Sequence, residues 1–184
     1  MAEETIEFIE SLGLKGASLM GFSDGAVVAL LVAISRPDLV RRLVSVSGCF
    51  RTPEHYLSAA GLDWMRSVTP ESIRKDYPRL VEHYFQVAPD ASTRFPVFVE
   101  KTLKMWLNEP DIRKEELAKI TAPTLVIAGD RDAISLEHTI ELFKAIKGAR
   151  LSIVPGATHL LLSDRSEATN KPILEFLLAK EKPK

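Results

Sequence analysis

Four short, largely apolar runs separated by helix-length segments constrain this chain more than any other feature. They are Ala17-Ser18-Leu19-Met20, Leu43-Val44-Ser45-Val46-Ser47-Gly48, Thr124-Leu125-Val126-Ile127-Ala128-Gly129 and Leu151-Ser152-Ile153-Val154. Runs of this length without polar alternation suit strands covered on both faces, and such strands pair in parallel through helical crossovers. The first run is short enough that its pattern alone does not separate a strand from a turn of helix. Helical signals fill the spaces. Ile6, Ile9 and Leu12 fall at helical spacing within Glu3–Leu12, and Gly13 follows where a helix-ending glycine belongs. Ala26–Ser35 is apolar nearly all round, which predicts a helix buried on every side, stopped by Arg36-Pro37. Further helices are expected over Ser135–Ile146, ending before Gly148, and over Ser166–Ala179, running into a Lys-rich tail. The pattern predicts an α/β fold: a mostly parallel sheet of about four strands flanked by helices.

Between the second and third runs the texture changes. Residues 51–118 carry no strand-like run, many aromatics, high charge, and prolines at 70, 78, 89, 96 and 110. We expect several short helices broken near those prolines. The organisation that follows is a core formed by residues 1–50 and 119–184, with residues 51–118 as a helical cap insertion.

Composition excludes several function classes. The 184 residues hold 24 Lys+Arg against 25 Asp+Glu with both signs interspersed, which argues against a nucleic-acid surface or a polybasic membrane patch. Cys49 is the single cysteine, so neither an intrachain disulfide nor a cysteine-based zinc or redox motif can form. The acidic start, Met1-Ala2-Glu3-Glu4, lacks the positive charge of a secretory signal. The longest uninterrupted apolar stretch, Ala26–Ile34, is nine residues, short of a bilayer span. A soluble, cytoplasmic protein is expected.

Chemistry is concentrated in Gly21-Phe22-Ser23-Asp24-Gly25, between a predicted strand and the buried helix. A turn that exposes a serine hydroxyl there is strained, and small residues two before and two after it avoid clashes. The serine then stands at a helix N-terminus, where backbone N–H groups point toward developing negative charge. The plainer alternative is a glycine-rich turn with Ser23 as an ordinary N-cap. A serine nucleophile needs a base, and the base an orienting acid. Of four histidines, His55 and His83 lie in the insertion and His138 within a predicted helix, where packing or surface roles are the default. His159 instead follows the fourth strand, at the strand end where loops of an open α/β sheet converge. Asp130 and Asp132 follow the third strand, and either serves as the acid on position alone.

The order Ser23, Asp132, His159, each after a strand, resembles the α/β-hydrolase superfamily. The elbow Gly21–Gly25, the segment Pro123–Asp132 and the segment Pro155–His159 all match its motifs, and the Ser-Asp-Gly elbow is similar to small esterase-like, valacyclovir-hydrolase-like members. The resemblance implies a triad of Ser23, Asp132 and His159, a structural role for Asp130, and the backbone N–H of Asp24 as an oxyanion donor. It also implies that the four strands correspond to the later half of the family's sheet. The loop that carries a second oxyanion N–H has no counterpart here, and the elbow strand is expected to present an open edge. A fragment of a longer hydrolase, a short protein whose copies pair through that edge, and a degenerate relative that serves binding are the competing explanations, the first being favoured. No cofactor is implied, and no metal-ligand spacing is present.

A cap over a serine site forms the pocket wall, so Trp64 and Trp106 are candidates for contact with an apolar acyl or alcohol group, although for either residue a place in the cap's own small core is the better default. The expected function is a serine hydrolase acting on small carboxylic esters or related acyl substrates. The alternative is an incomplete or non-catalytic hydrolase fold acting through its open strand edge.

Overall fold

The computed structural model describes residues 1–180. Its elements run α1 (Ala2–Ser11), β1 (Ala17–Phe22), α2 (Asp24–Ser35), β2 (Val40–Val46), α3 (Ala59–Ser67), α4 (Pro70–Asp76), α5 (Pro78–Val87), α6 (Ala91–Asn108), α7 (Lys114–Leu117), β3 (Thr124–Gly129), α8 (Leu136–Ala145), β4 (Arg150–Val154), α9 (Leu161–Asp164) and α10 (Ser166–Leu178). The four strands form one sheet in the order β1-β2-β3-β4, and every pairing is parallel. The two central runs thus become strands buried on both faces, β2 and β3, as continuous apolar runs in a parallel sheet do, while β1 and β4 at the sheet's margins are only partly covered.

Side chains alternate across the sheet with the period of two that a strand imposes. Leu43 and Val126 enter one core with Ile9 of α1, Leu30 and Val32 of α2, Leu117 of α7 and Leu142 of α8. Val44, Val46, Leu125 and Ile127 enter the other with Leu161, Ile173 and Phe176. In α2 the buried positions Ala26, Ala29, Leu30, Val32 and Ala33 share one side, while Val27, Val28, Leu31 and Ile34 are only partly covered, so the helix is not buried on every side as its sequence predicts. Each fully buried Leu or Val there contributes roughly 1.5–3 kcal/mol. Gly13 has φ +63 just past α1, in the left-handed conformation that glycine takes at helix ends.

The described residues divide into two compact units, Met1–Arg51 with Pro110 onward, and Thr52–Glu109. Residues 110–118, which the sequence pattern groups with the insertion, pack in the first unit. Ile112 N–H donates to Phe50 O at 2.8 Å, and Ile112 and Leu117 are buried in its core. In the second unit α3–α6 surround a small core of Val68, Val81, Phe95 and Val99. Two of the expected breaks, Pro70 and Pro78, are helix starts, where the missing N–H costs nothing. Pro96 breaks nothing: α6 runs through it from Ala91 to Asn108. Flanking Phe95 and Val99 are buried, and Tyr84 lies 5.5 Å from the Phe95 ring and 4.9 Å from the Phe98 ring, so packing outweighs one lost hydrogen bond.

β1 is a sheet edge that pairs with β2 alone. Ser18 and Met20 project outward from it, and Met20 is 46% exposed. An open groove between α1 and α2 is lined by Met1, Glu4, Thr5, Phe8, Gly25 and Val28. No helix among the described residues is long and apolar enough to cross a membrane.

Candidate active site

The ends of β1, β2, β3 and β4 bring the chemistry together. Ser23 occupies the turn between β1 and α2 with φ 54 and ψ −118, a backbone that side-chain-bearing residues rarely adopt. Its N–H donates to Val46 O at 2.9 Å, which ties the turn to the end of β2. Gly21 has to be glycine, because a Cβ there would lie 2.0 Å from Gly25 O. Gly25 does not follow the same logic: a Cβ there would meet nothing within 4 Å. The serine accepts no N-terminal amide of α2 through its side chain. Its hydroxyl lies 3.0 Å from His159 Nε2 instead.

His159 is carried by the loop after β4, and two anchors hold that loop. Asp130 Oδ1 accepts the Gly156 N–H at 2.6 Å, and Arg131 N–H donates to Ala157 O at 3.0 Å. Asp164 accepts both the Thr158 N–H, at 3.1 Å, and the Thr158 hydroxyl, which holds its carboxyl below the usual carboxylate range. The ring of Phe22, the residue before the serine, packs 5.2 Å from the imidazole, centroid to centroid.

His159 Nδ1 lies 2.8 Å from Asp132 Oδ1. The Asp132 side chain is fully buried while that of His159 is 31% exposed. Because a carboxylate only accepts, the ring donates through Nδ1–H, which leaves Nε2 to accept the Ser23 proton. Asp132 Oδ1 also accepts the Ile134 N–H at 3.0 Å, and Oδ2 accepts the Ser47 hydroxyl at 2.5 Å. Burial pushes this carboxyl up. The hydrogen bonds from His159 and Ser47, the charge of His159 and the Ile134 N–H outweigh burial, and the net shift is downward. Asp130, the other candidate acid, bonds the Gly156 backbone.

The backbone N–H of Asp24 is the first of α2, directly after Ser23. Trp64 lies exposed on α3 and Trp106 half-buried on α6, both in the helical unit. Among the described residues no cluster of His, Cys, Asp and Glu has the makings of a metal site.

Two residues escape a reading by pattern. His138 sits in α8 but is buried, accepts the Phe50 N–H through Nε2 at 3.2 Å and stacks on the Phe50 ring at 4.3 Å. Its partner is 88 positions away in sequence, so no local signal reveals it. Ser47 is the last residue but one of the predicted strand 43–48, and the one signal it gives is a serine beside glycine at a strand's C-terminal end.

A family model described as the alpha/beta hydrolase family matches residues 2–171. The chain belongs to that family. It is 24% identical to the serine hydrolase BPHL of Mus musculus across 96% of this chain and 60% of that protein. It is 26% identical to the sn-1-specific diacylglycerol lipase ABHD11 of Mus musculus across 96% of this chain and 64% of that protein. Among solved structures, a meta-cleavage product hydrolase, CumD, from Pseudomonas fluorescens IP01 superposes with a TM-score of 0.73 at 16% identity, covering 96% of this chain and 70% of that one. At that identity the superposition speaks for the fold. The chain spans about 60% of the length of the curated BPHL relatives.

Proposed function

We propose that this chain is a serine hydrolase that cleaves carboxylic esters or related acyl substrates through Ser23, His159 and Asp132. The observation that carries the reading is the continuous hydrogen-bonded series from Ser23 Oγ to His159 Nε2, at 3.0 Å, and from His159 Nδ1 to Asp132 Oδ1, at 2.8 Å. In the proposed reaction Ser23 Oγ attacks the acyl carbon as its proton passes to His159 Nε2. Asp132 holds the imidazole in the tautomer that accepts this proton and stabilises the imidazolium that results. The Asp24 N–H, in the first turn of α2, donates to the oxyanion of the tetrahedral intermediate. Collapse expels the alcohol, which takes the proton back from Nε2 and leaves an acyl-serine. Water repeats the sequence, giving up its proton to His159, and the carboxylic acid departs as Ser23 regains its hydrogen.

Trp64 and Trp106 belong to the same proposal as contacts for an apolar acyl or alcohol group. A second reading, self-association through β1, is favoured by the exposed Met20 on an edge strand. It is compatible with catalysis and is the whole function if catalysis fails.

The test is hydrolysis of a short-chain p-nitrophenyl ester with the 184-residue chain. The expected result is a burst of p-nitrophenol followed by slower turnover, with no burst in Ser23→Ala. Asp132→Asn is expected to lower kcat by roughly 10⁴, because the amide favours the wrong imidazole tautomer. Equal hydrolysis by wild type and Ser23→Ala overturns the reading.

A further inference from the structure

Ser47 stands out on three counts. It is a non-glycine residue with φ +47, one of three such residues among those described. It is 1% exposed. Its hydroxyl donates at 2.5 Å to Asp132 Oδ2, the carboxylate oxygen that does not face His159. Glycine would occupy this left-handed backbone with less strain. What glycine would lack is the hydroxyl, and that hydroxyl is engaged on the proposed triad acid.

We propose that Ser47 is a positioning residue that locks the Asp132 carboxylate in the plane in which Oδ1 meets His159 Nδ1. This rests on the reading of Ser23, His159 and Asp132 as the triad. The Asp132 carboxylate rotates about one side-chain bond, and its two oxygens are held by donors from different elements. Oδ1 takes the Ile134 N–H from its own loop at 3.0 Å together with the ring of His159. Oδ2 takes Ser47 from the end of the neighbouring strand β2. The Asp132 side chain is fully buried, so bulk water does not substitute for a lost donor. Ser47 is itself fixed, because its N–H donates to Ile127 O at 2.9 Å and so ties the end of β2 to β3. The hydroxyl–carboxylate distance falls in the short, charge-assisted class. Ser47 also tempers the carboxylate: a donor on Oδ2 withdraws charge from Oδ1. Removing it leaves Oδ1 a stronger acceptor but a worse-aimed one.

The experiment compares wild type, Ser47→Ala and Ser47→Gly, with Ser23→Ala as the control for the triad reading. Two readouts are taken: the rate of covalent labelling by a fluorophosphonate, and the far-downfield proton resonance of the His159 Nδ1–H. Alanine and glycine both remove the hydroxyl, while glycine also relieves the positive φ. Both are expected to label roughly tenfold more slowly than wild type, and both are expected to move the Nδ1–H resonance. Wild-type labelling in both variants, with the resonance in place, overturns the proposal. Slow labelling in Ser47→Ala with a wild-type rate in Ser47→Gly also overturns it, since backbone strain alone would then explain the effect. Failure of wild type itself to label at Ser23 overturns the triad reading instead, and the two failures are thereby distinct.

Discussion

The carbonyl oxygen of Ala157 occupies the space that a side chain on Gly129 would need: a Cβ there would lie 2.1 Å from it. Gly129 ends β3, three residues before Asp132, and Ala157 lies two residues before His159. The absence of one methyl group therefore lets the loop that carries the proposed base lie against the strand that carries the proposed acid. Gly129→Ala is expected to push that loop away, with a fall in labelling of about 10²-fold and a stability loss of about 1–3 kcal/mol. Gly25→Ala, where a Cβ meets nothing within 4 Å, is expected to keep the fold and to gain up to about 1 kcal/mol of helix propensity. Chemical denaturation and labelling of the two variants side by side check the contrast.

Asp132 makes stability depend on pH in a defined direction. Its carboxyl is held below its usual range, with burial opposing the shift and the partners His159, Ser47 and Ile134 producing it. As pH falls, the unfolded chain takes up this proton before the folded one does. The stabilisation is therefore present above about pH 4 and is lost as pH falls through the depressed folded value. Asp132→Asn removes the linkage. Denaturation at stepped pH should give the variant a shallower loss of stability below about pH 4, and an unchanged slope would count against the depressed carboxyl.

Ser45 offers a gain rather than a loss. Its hydroxyl is completely buried in β2 and has no hydrogen-bond partner among the described residues. An unsatisfied buried hydroxyl costs about 1–3 kcal/mol. Ser45→Ala is expected to raise Tm by about 2–4 °C for each kcal/mol recovered. Ser45→Val is expected to lower it, because a Cβ on Gly48 would already lie 2.4 Å from the serine oxygen and 2.8 Å from Ala26 Cβ. Thermal melts of the pair decide it.

The open edge of β1 bears on the solution state. Parallel sheets are ordinarily covered on both faces, and β1 leaves both its outer edge and Met20 uncovered. The 184-residue chain is expected to elute as a dimer, and Met20→Lys, which places a charge on that strand, is expected to shift it toward monomer. Light scattering coupled to gel filtration reads both. A stable wild-type monomer with little exposed hydrophobic surface would contradict pairing through β1.

Much of the frame was legible because its cause is local. A parallel strand covered on both faces writes itself as an unbroken apolar run, and Thr124–Gly129 was expected with the same bounds that the structure gives it. Ser23 and His159 stand out as candidates because each follows such a run, whereas Asp130 and Asp132 follow the same run and only the family resemblance chooses between them. What escaped depends on contacts between distant residues. The expected strand 43–48 stops at Val46 because Ser47 turns left-handed there, aimed at a carboxylate 85 positions later. His138 looked like any helical histidine until Phe50 was folded against it. Gly21 and Gly25 are equivalent in the motif, and the space around each separates them. Pro96 reads as a helix breaker, and it is overruled by its neighbours' packing.

The most direct measurement is the intact mass of the 184-residue chain after fluorophosphonate treatment, beside Ser23→Ala and His159→Ala that are folded by circular dichroism. The account expects one adduct per wild-type chain, located at Ser23, and none in either variant. A folded wild-type chain that stays unmodified, or an adduct that persists in Ser23→Ala, would contradict it.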